Sequence, residues 1–257
     1  MNILVLGDVV SDIGCRFLRK KLPAFKKLKN IDFCIANGEN SAAGNGITPL
    51  SARELFSSGV DFITTGNHVY RRKEVYELLD ESEFIIRPYN YPDSNPGRGA
   101  AVVDLGRCSV GVINLMGTMF SESLENPFRA ADRALKEIEG KTKVILVDFH
   151  AEATSEKQAL AYYLDGRVSA VFGTHTHVLT NDERILPSGT GYITDIGMCG
   201  VENSVLGVKK ELIIEKFMTN MPVRFDTADG DCMINGCIFT VDEKTGSCTA
   251  VEPVRFS

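Results

Sequence analysis

Short apolar runs, each the length of a β-strand, alternate with helix signals along the first two-thirds of the chain. That alternation is the signature of an α/β fold whose sheet is largely covered. The runs fall at residues 3–6, 33–36, 62–65, 84–86, 101–105, 109–114, 144–147 and 170–172, followed by 191–194 and a C-terminal pair at 234–241 and 249–254. Asp242-Glu243-Lys244-Thr245-Gly246 joins the last two, which predicts a hairpin. Between the runs, Thr48-Pro49 opens a helix that Gly59 closes, and Asn126-Pro127 opens one that Gly140 closes. Ser155 with Gln158 has capping-box spacing for a third helix ending at Gly166. Residues 87–99, with Pro88, Pro92 and Pro96, read as an irregular loop, and 197–207 as a glycine-bearing connection. Neither has the length of an inter-domain linker, so residues 1–257 read as a single α/β domain.

Composition narrows the class. With 44% hydrophobic and 24% charged residues over 257 positions, the chain has a globular make-up and enough apolar side chains for a sizeable core. Lys and Arg total 28 against 34 Asp and Glu, a net charge of -6 that argues against an extended nucleic-acid or membrane surface. No segment approaches the ~18 consecutive apolar residues of a spanning helix, and residues 1–8 lack a basic leader, so a cytoplasmic protein is expected. The seven cysteines are odd in number and include no Cys-x-x-Cys, which indicates neither a disulfide framework nor a zinc ribbon.

The chemistry collects where strands end. Five apolar runs exit into Gly7-Asp8, Asn37-Gly38-Glu39-Asn40, Gly66-Asn67-His68, Asp148-Phe149-His150 and Gly173-Thr174-His175-Thr176-His177. Ligands of α/β sheets bind outside the carboxyl ends of the strands, so these exits can converge on one site. Glycine before four of the groups would let the backbone turn sharply there. All four histidines belong to the set. Singly, each residue has a plainer reading: Asp8 as cap of a helix starting at Ser11 or Asp12, Glu39-Asn40 as a polar turn, Asn67-His68 as a capped loop, His150 as a core histidine. Jointly they point to metal, and His175-x-His177 would place two imidazoles on one face of an extended segment. Imidazole, carboxylate and amide donors without thiolate suit Fe, Mn or Zn. Six or seven ligands exceed one four-coordinate ion, whereas two ions bridged by a carboxylate would use them and leave room for substrate, an arrangement suited to phosphoryl transfer. Asp148 and Asp195 could orient ligand imidazoles from behind or cap turns; Arg87 could contact phosphate or form a salt bridge.

The motifs Gly-Asp, Gly-Glu-Asn, Gly-Asn-His and Gly-Thr-His-Thr-His resemble the calcineurin-like metallophosphoesterases. Val10 stands where that family usually has a histidine, and Glu39 where it has an aspartate. Both departures match a narrower branch, the YmdB-like cyclic-nucleotide phosphodiesterases. The stretches 36–40, 46–49, 126–132, 147–156 and 182–187 resemble it over nearly the whole chain. The resemblance implies a four-layer α/β/β/α sandwich of two mixed sheets flanked by helices, and a pair of iron or manganese ions. Asp8, Glu39, Asn40 and His177 would hold one ion, and Glu39, Asn67, His150 and His175 the other, with Glu39 bridging. It further implies that a metal-bridging hydroxide opens 2′,3′-cyclic nucleotides to 3′-nucleotides, with His68 as proton donor, in a homo-oligomer. A phosphomonoesterase on the same scaffold and a metal-stabilised regulatory protein are the alternatives.

Overall fold

Consecutive residues of the first apolar run pack on opposite sides. Ile3 and Val5 join one hydrophobic cluster, Leu4 and Leu6 another, and all four are buried. A strand that is apolar on both faces needs cover on both. The computed structural model describes all 257 residues and supplies that cover with a second sheet on one side and helices on the other.

The chain runs β1 (Asn2–Leu6), β2 (Asp8–Val9), α1 (Ser11–Leu28), β3 (Phe33–Asn37), α2 (Pro49–Ser57), β4 (Phe62–Thr64), α3 (Tyr76–Glu81), β5 (Ala100–Asp104) and β6 (Ser109–Met116). Then come α4 (Pro127–Glu137), β7 (Val144–His150), α5 (Thr154–Tyr163), β8 (Ala170–Thr174), β9 (Arg184–Ile185) and β10 (Gly191–Ile193). The chain closes with β11 (Met198–Val201), α6 (Lys210–Thr219), β12 (Cys232–Val241) and β13 (Cys248–Phe256). One sheet has the order β2-β11-β12-β1-β3-β4 with β13 added beside β12; the other has β5-β6-β7-β8-β10-β9. Both are mixed. β1, β3 and β4 are mutually parallel while β12 is antiparallel to β1, and β6, β7, β8 and β10 are parallel between antiparallel edges β5 and β9.

The layers follow from which residues alternate where. Ile3, Val5, Phe33, Ile35 and Phe62 of the first sheet meet Val110, Val112, Leu146 and Phe172 of the second, forming the inter-sheet core. The outer face of the first sheet packs Leu4, Leu6, Cys34 and Ala36 under Leu18 and Leu22 of α1 and Leu55 of α2. Ile113, Leu115, Val147 and Phe149 pack under Ala130 and Ala134 of α4 and Leu160 of α5. Each such large side chain contributes roughly 1.5–3 kcal/mol by leaving water. The predicted caps at Thr48 and Asn126 form: Thr48 accepts from Ser51 N, and Asn126 from Phe128 N and Arg129 N. The predicted C-terminal hairpin is β12–β13.

Four expectations need correction. Ser155 does not cap; α5 starts at Thr154 behind Ala153, without a side-chain cap. Its start is instead tied down by buried Glu156, which accepts from Thr118 N at 2.9 Å and Met119 N at 3.3 Å. Residues 84–86 form only an isolated bridge from Ile85 to Ile63, because Pro88 soon removes a donor and turns the chain away. The supposed connection 197–207 contains β11, a central strand between β2 and β12. Asp8 does not cap α1, whose N-cap is Val10 with no side-chain bond.

Candidate metal centre

The fold delivers every predicted site residue to one place. Asp8 opens β2, Glu39 and Asn40 follow β3, Asn67 and His68 follow β4, His150 ends β7, and His175 and His177 follow β8. Because β3 and β4 are parallel neighbours in one sheet and β7 and β8 in the other, these exits lie at one end of the sandwich.

Glu39 stands at the middle, 1% exposed. Its Oε1 is 3.3 Å from His150 Nε2 and 3.4 Å from His68 Nδ1, and accepts from Asn40 Nδ2 at 3.1 Å; Oε2 accepts from His68 N at 3.0 Å. To one side, His150 Nε2 lies 2.9 Å from Asn67 Oδ1 and 3.1 Å from His175 Nδ1. Donor atoms of Glu39, His150 and His175 all lie within 4.8 Å of one another. To the other side, His177 Nε2 is 3.6 Å from Asp8 Oδ1 and 3.4 Å from Asn40 Nδ2.

These residues fit a cation. Asp8 Oδ1 and His177 Nδ1 are buried with no hydrogen-bond partner. An orphaned buried polar atom costs about 1–3 kcal/mol, more when charged, and a neighbouring ion removes the cost for the carboxylate. Lone-pair atoms about 3 Å apart also match neighbouring ligands at bond lengths of about 2.0–2.2 Å. Asn40 is turned with Nδ2 toward Glu39 and His177 and Oδ1 toward His68 Nδ1, 2.8 Å away, so ligation through its oxygen requires the amide to flip.

Charge is divided sharply across the cluster. Burial pushes Glu39 up, but the His150 and His68 imidazoles outweigh it and hold the carboxyl well below its usual range. Asp8, likewise opposed by burial, is lowered by His177. Burial works against protonation of His150, yet Glu39 and Asp8 raise it to about 9. His175 goes the other way, lowered by burial and His150 to about 4. Two ionised carboxylates thus share a buried pocket.

Close approach explains one glycine. A Cβ on Gly66 would sit 2.4 Å from both Glu39 Oε2 and His150 Nε2, so only glycine fits between them. Neither Gly66 nor Gly173 has a positive φ, which corrects the idea of a sharp glycine turn. The left-handed residues are His175 (φ 95°) and His177 (φ 63°) themselves. The segment is therefore not extended, and the two imidazoles serve opposite sides of Glu39 instead of sharing a face.

Buried Lys157 of α5 holds this bend. Its Nζ donates to Thr174 O at 2.9 Å and Asp195 Oδ2 at 2.7 Å, and the same Asp195 oxygen accepts from Thr176 N at 3.1 Å. Asp195 also accepts from Gly197 N, so it clamps one bend and closes a turn without touching an imidazole. Asp148 reaches His150 through Thr174, whose hydroxyl donates to Asp148 Oδ1 at 2.7 Å and lies 2.9 Å from His150 Nδ1, and through Asn37, whose Nδ2 donates to Asp148 Oδ2 at 3.2 Å and lies 3.5 Å from the same imidazole nitrogen. Arg87 forms no ion pair with a carboxylate; buried, it donates to the carbonyls of Pro88, Tyr89 and Pro92. Lys157, Thr174 and Glu152, which approaches His175, were not singled out from sequence. A lysine three positions before Leu160, on the buried face of α5, was the available signal for the first.

Two mixed sheets stacked face to face, helices outside both, and carboxylate, amide and imidazole groups gathered at the strand exits define the metallophosphoesterase sandwich that the resemblance implied. NAD nucleotidase from Haemophilus influenzae has this fold in common with the chain, at TM-score 0.59 and 14% identity across 98% of this chain and 55% of that one. The chain belongs to the YmdB-like family, whose sequence model, described as YmdB-like protein, matches residues 4–254. A 2′,3′-cyclic-nucleotide 2′-phosphodiesterase from Bacillus subtilis is 44% identical over 254 residues, 99% of this chain and 96% of that protein. The crystal structure of a novel phosphatase from Mycoplasma pneumoniae matches at TM-score 0.93 and 33% identity, over 100% of this chain and 93% of that one.

Proposed function

We propose that this chain, acting as one domain, is a phosphoric diester hydrolase that opens 2′,3′-cyclic nucleotides to 3′-nucleotides with two transition-metal ions, iron or manganese. One observation carries the reading: the predicted ligands form two groups that have Glu39 in common. Asp8, Glu39, Asn40 and His177 would hold one ion, with the Asn40 amide flipped, and Glu39, Asn67, His150 and His175 the other. Bound there, the pair would supply Lewis acidity at the phosphate and a nucleophile available near neutral pH. It would also offset the negative charge of chain and substrate.

The chain's own side chains do the rest. With the Asn40 amide flipped, its Nδ2 would face His68 Nδ1 and donate to it, which keeps the imidazole proton on Nε2, placed to pass to O2′ as the P–O2′ bond breaks. A cleft of about 310 Å³ opens over Glu39, Asn40, His68 and His175, walled by Val10, Leu206 and Val208 and edged by Asn45 and Thr227. Its mixed lining suits a small polar ligand with an apolar face. The name of the Bacillus subtilis relative supports the cyclic substrate, and that of the Mycoplasma pneumoniae relative keeps phosphomonoesters in the comparison.

A homo-oligomer belongs to the proposal, supported by α6, which buries none of its residues and exposes Ile214, Phe217 and Met218; light scattering reads it. So does a cytoplasmic place of action, checked by fractionation; no helix is long and apolar enough to cross a membrane.

The decisive experiment is metal analysis followed by a panel of cyclic, linear diester and monoester substrates on wild type and Glu39→Gln. Wild type should carry about two metals per chain and turn over the cyclic diester fastest, and Glu39→Gln should lose both properties together. Full activity in that variant would sink the shared-carboxylate reading. Faster monoester hydrolysis would favour the phosphomonoesterase, and binding of cyclic nucleotide without turnover under Mn and Fe loading the regulatory protein.

A further inference from the structure

The cleft lining holds a second carboxylate besides Glu39. Glu152 follows His150 by two residues, in the connection from β7 to α5, and its Oε2 lies 3.1 Å from His175 Nε2. Its side chain is 53% exposed and makes no other polar contact, so it is not a structural anchor.

A neutral imidazole carries one proton, and whichever nitrogen lacks it is the lone-pair atom. For His150 the choice is made from behind: Nδ1 lies 2.9 Å from the Thr174 hydroxyl, which itself donates to Asp148, so Nδ1 carries the proton and Nε2 faces Glu39. His175 is placed the other way round. Its Nδ1 points inward, 3.1 Å from His150 Nε2, and its Nε2 points out to the cleft. We infer that Glu152 is a positioning residue for His175: its carboxylate accepts the Nε2 proton, which fixes Nδ1 as the lone-pair atom presented beside Glu39 and His150. A carboxylate in this role also orients the ring and raises its basicity toward a metal. The inference rests on the two-metal reading above. A direct grip on substrate fits Glu152 less well, because a second carboxylate at the mouth repels an anionic phosphodiester.

The test uses the full chain, stripped of metal and titrated calorimetrically with Mn2+ alone, as wild type, Glu152→Ala and Glu152→Gln, with thermal melts to verify folding. Glu152→Ala should weaken one of the two Mn2+ sites by about 10–100-fold and leave the other alone. Glu152→Gln, whose amide oxygen still accepts the Nε2 proton, should recover most of the loss. NMR of the ring nitrogens in the wild type should find the His175 proton on Nε2. Wild-type Mn2+ affinity at both sites in Glu152→Ala, or an equal loss in Ala and Gln variants, overturns the inference while the metal centre stands. So does a raised KM for cyclic nucleotide with unchanged Mn2+ binding, which would make Glu152 a substrate contact. Wild-type protein that takes up no Mn2+ overturns the metal centre and this inference with it.

Discussion

His150 and His177 belong to groups that meet at Glu39, yet one ends a strand paired on both sides and the other sits on a left-handed bend. His150 is in register with Met116 of β6 and Thr174 of β8, and its Nδ1 is held by Thr174. Behind Thr174, Asp148 also collects Thr64 Oγ1 at 2.5 Å and Asn37 Nδ2 at 3.2 Å. His177 has φ 63° and an unpartnered, buried Nδ1, and it faces Asp8, whose Oδ1 is likewise orphaned. A left-handed non-glycine residue costs roughly 1–2 kcal/mol, held in place by what surrounds it. In the strand-borne half His150 is therefore fixed before any ion arrives and only His175 relies on the bend, while the other half depends on the Lys157–Asp195 clamp for its one imidazole and on a ligand to satisfy Asp8.

The largest effects should separate the halves directly. Both His150→Ala and His177→Ala should abolish cyclic-nucleotide hydrolysis and each remove about one metal per chain. In chelator His150→Ala should be the less stable of the two, by about 1–3 kcal/mol, because it removes the short contact with the Thr174 hydroxyl from a fully buried network. His177→Ala leaves Asp8 without its imidazole but breaks only contacts of 3.4 Å and longer, so its metal-free cost should be the smaller. Equal destabilisation by the two would break the contrast.

His68 touches Glu39 and Asn40 from the cleft side and belongs to neither half. His68→Ala should leave both ions in place while turnover falls by ~10²–10⁴, the usual worth of a proton donor. Loss of a metal in that variant would make His68 a ligand and redraw the groups.

Next in size is the clamp. Lys157 and Asp195 are 1% and 0% exposed, and removing one partner of a buried pair costs about 3–5 kcal/mol. Lys157→Met should lower stability by that much, and calorimetry with Mn2+ should find the Asp8–His177 group weakened more than the His150 group. Uniform weakening would mean that the clamp supports the whole sandwich end and not the bend.

The same contrast marks what could be read from sequence. Apolar runs that stop abruptly at a glycine and a polar residue placed Asp8, Glu39, Asn67 and His175 at strand exits, because strand length and its end are local properties. Thr48 and Asn126 were readable for the same reason, a cap being settled within three residues. The φ of His175 and His177 was not. It is set by Asp195, which meets Thr176 N across 19 positions, and by Lys157 on another helix. The strand β11 escaped notice because Met198-Cys199-Gly200-Val201 has too few residues to show a period, and its pairing with β2 and β12 is tertiary. Likewise, which end of the Asn40 amide faces His68 depends on neighbours brought by three strands.

The smallest predicted effect probes how far preformation of the strand-borne half reaches. Asp148 touches no predicted metal ligand directly and reaches His150 through Thr174 and Asn37, and its acid is pushed up to about 6 by burial. Asp148→Asn keeps the shape, but an amide can accept from Thr174 or from Thr64 and Asn37, not from all three at full strength. Thr174 then loses the acceptor that orients its hydroxyl, and His150 Nδ1 loses a fixed partner. Mn2+ affinity of the His150 group should fall by about tenfold, with the Asp8–His177 group unchanged. If instead the Asp8–His177 group weakens, the Asp148 network reaches the bend through Thr174, and the two halves are one mechanical unit despite their different construction.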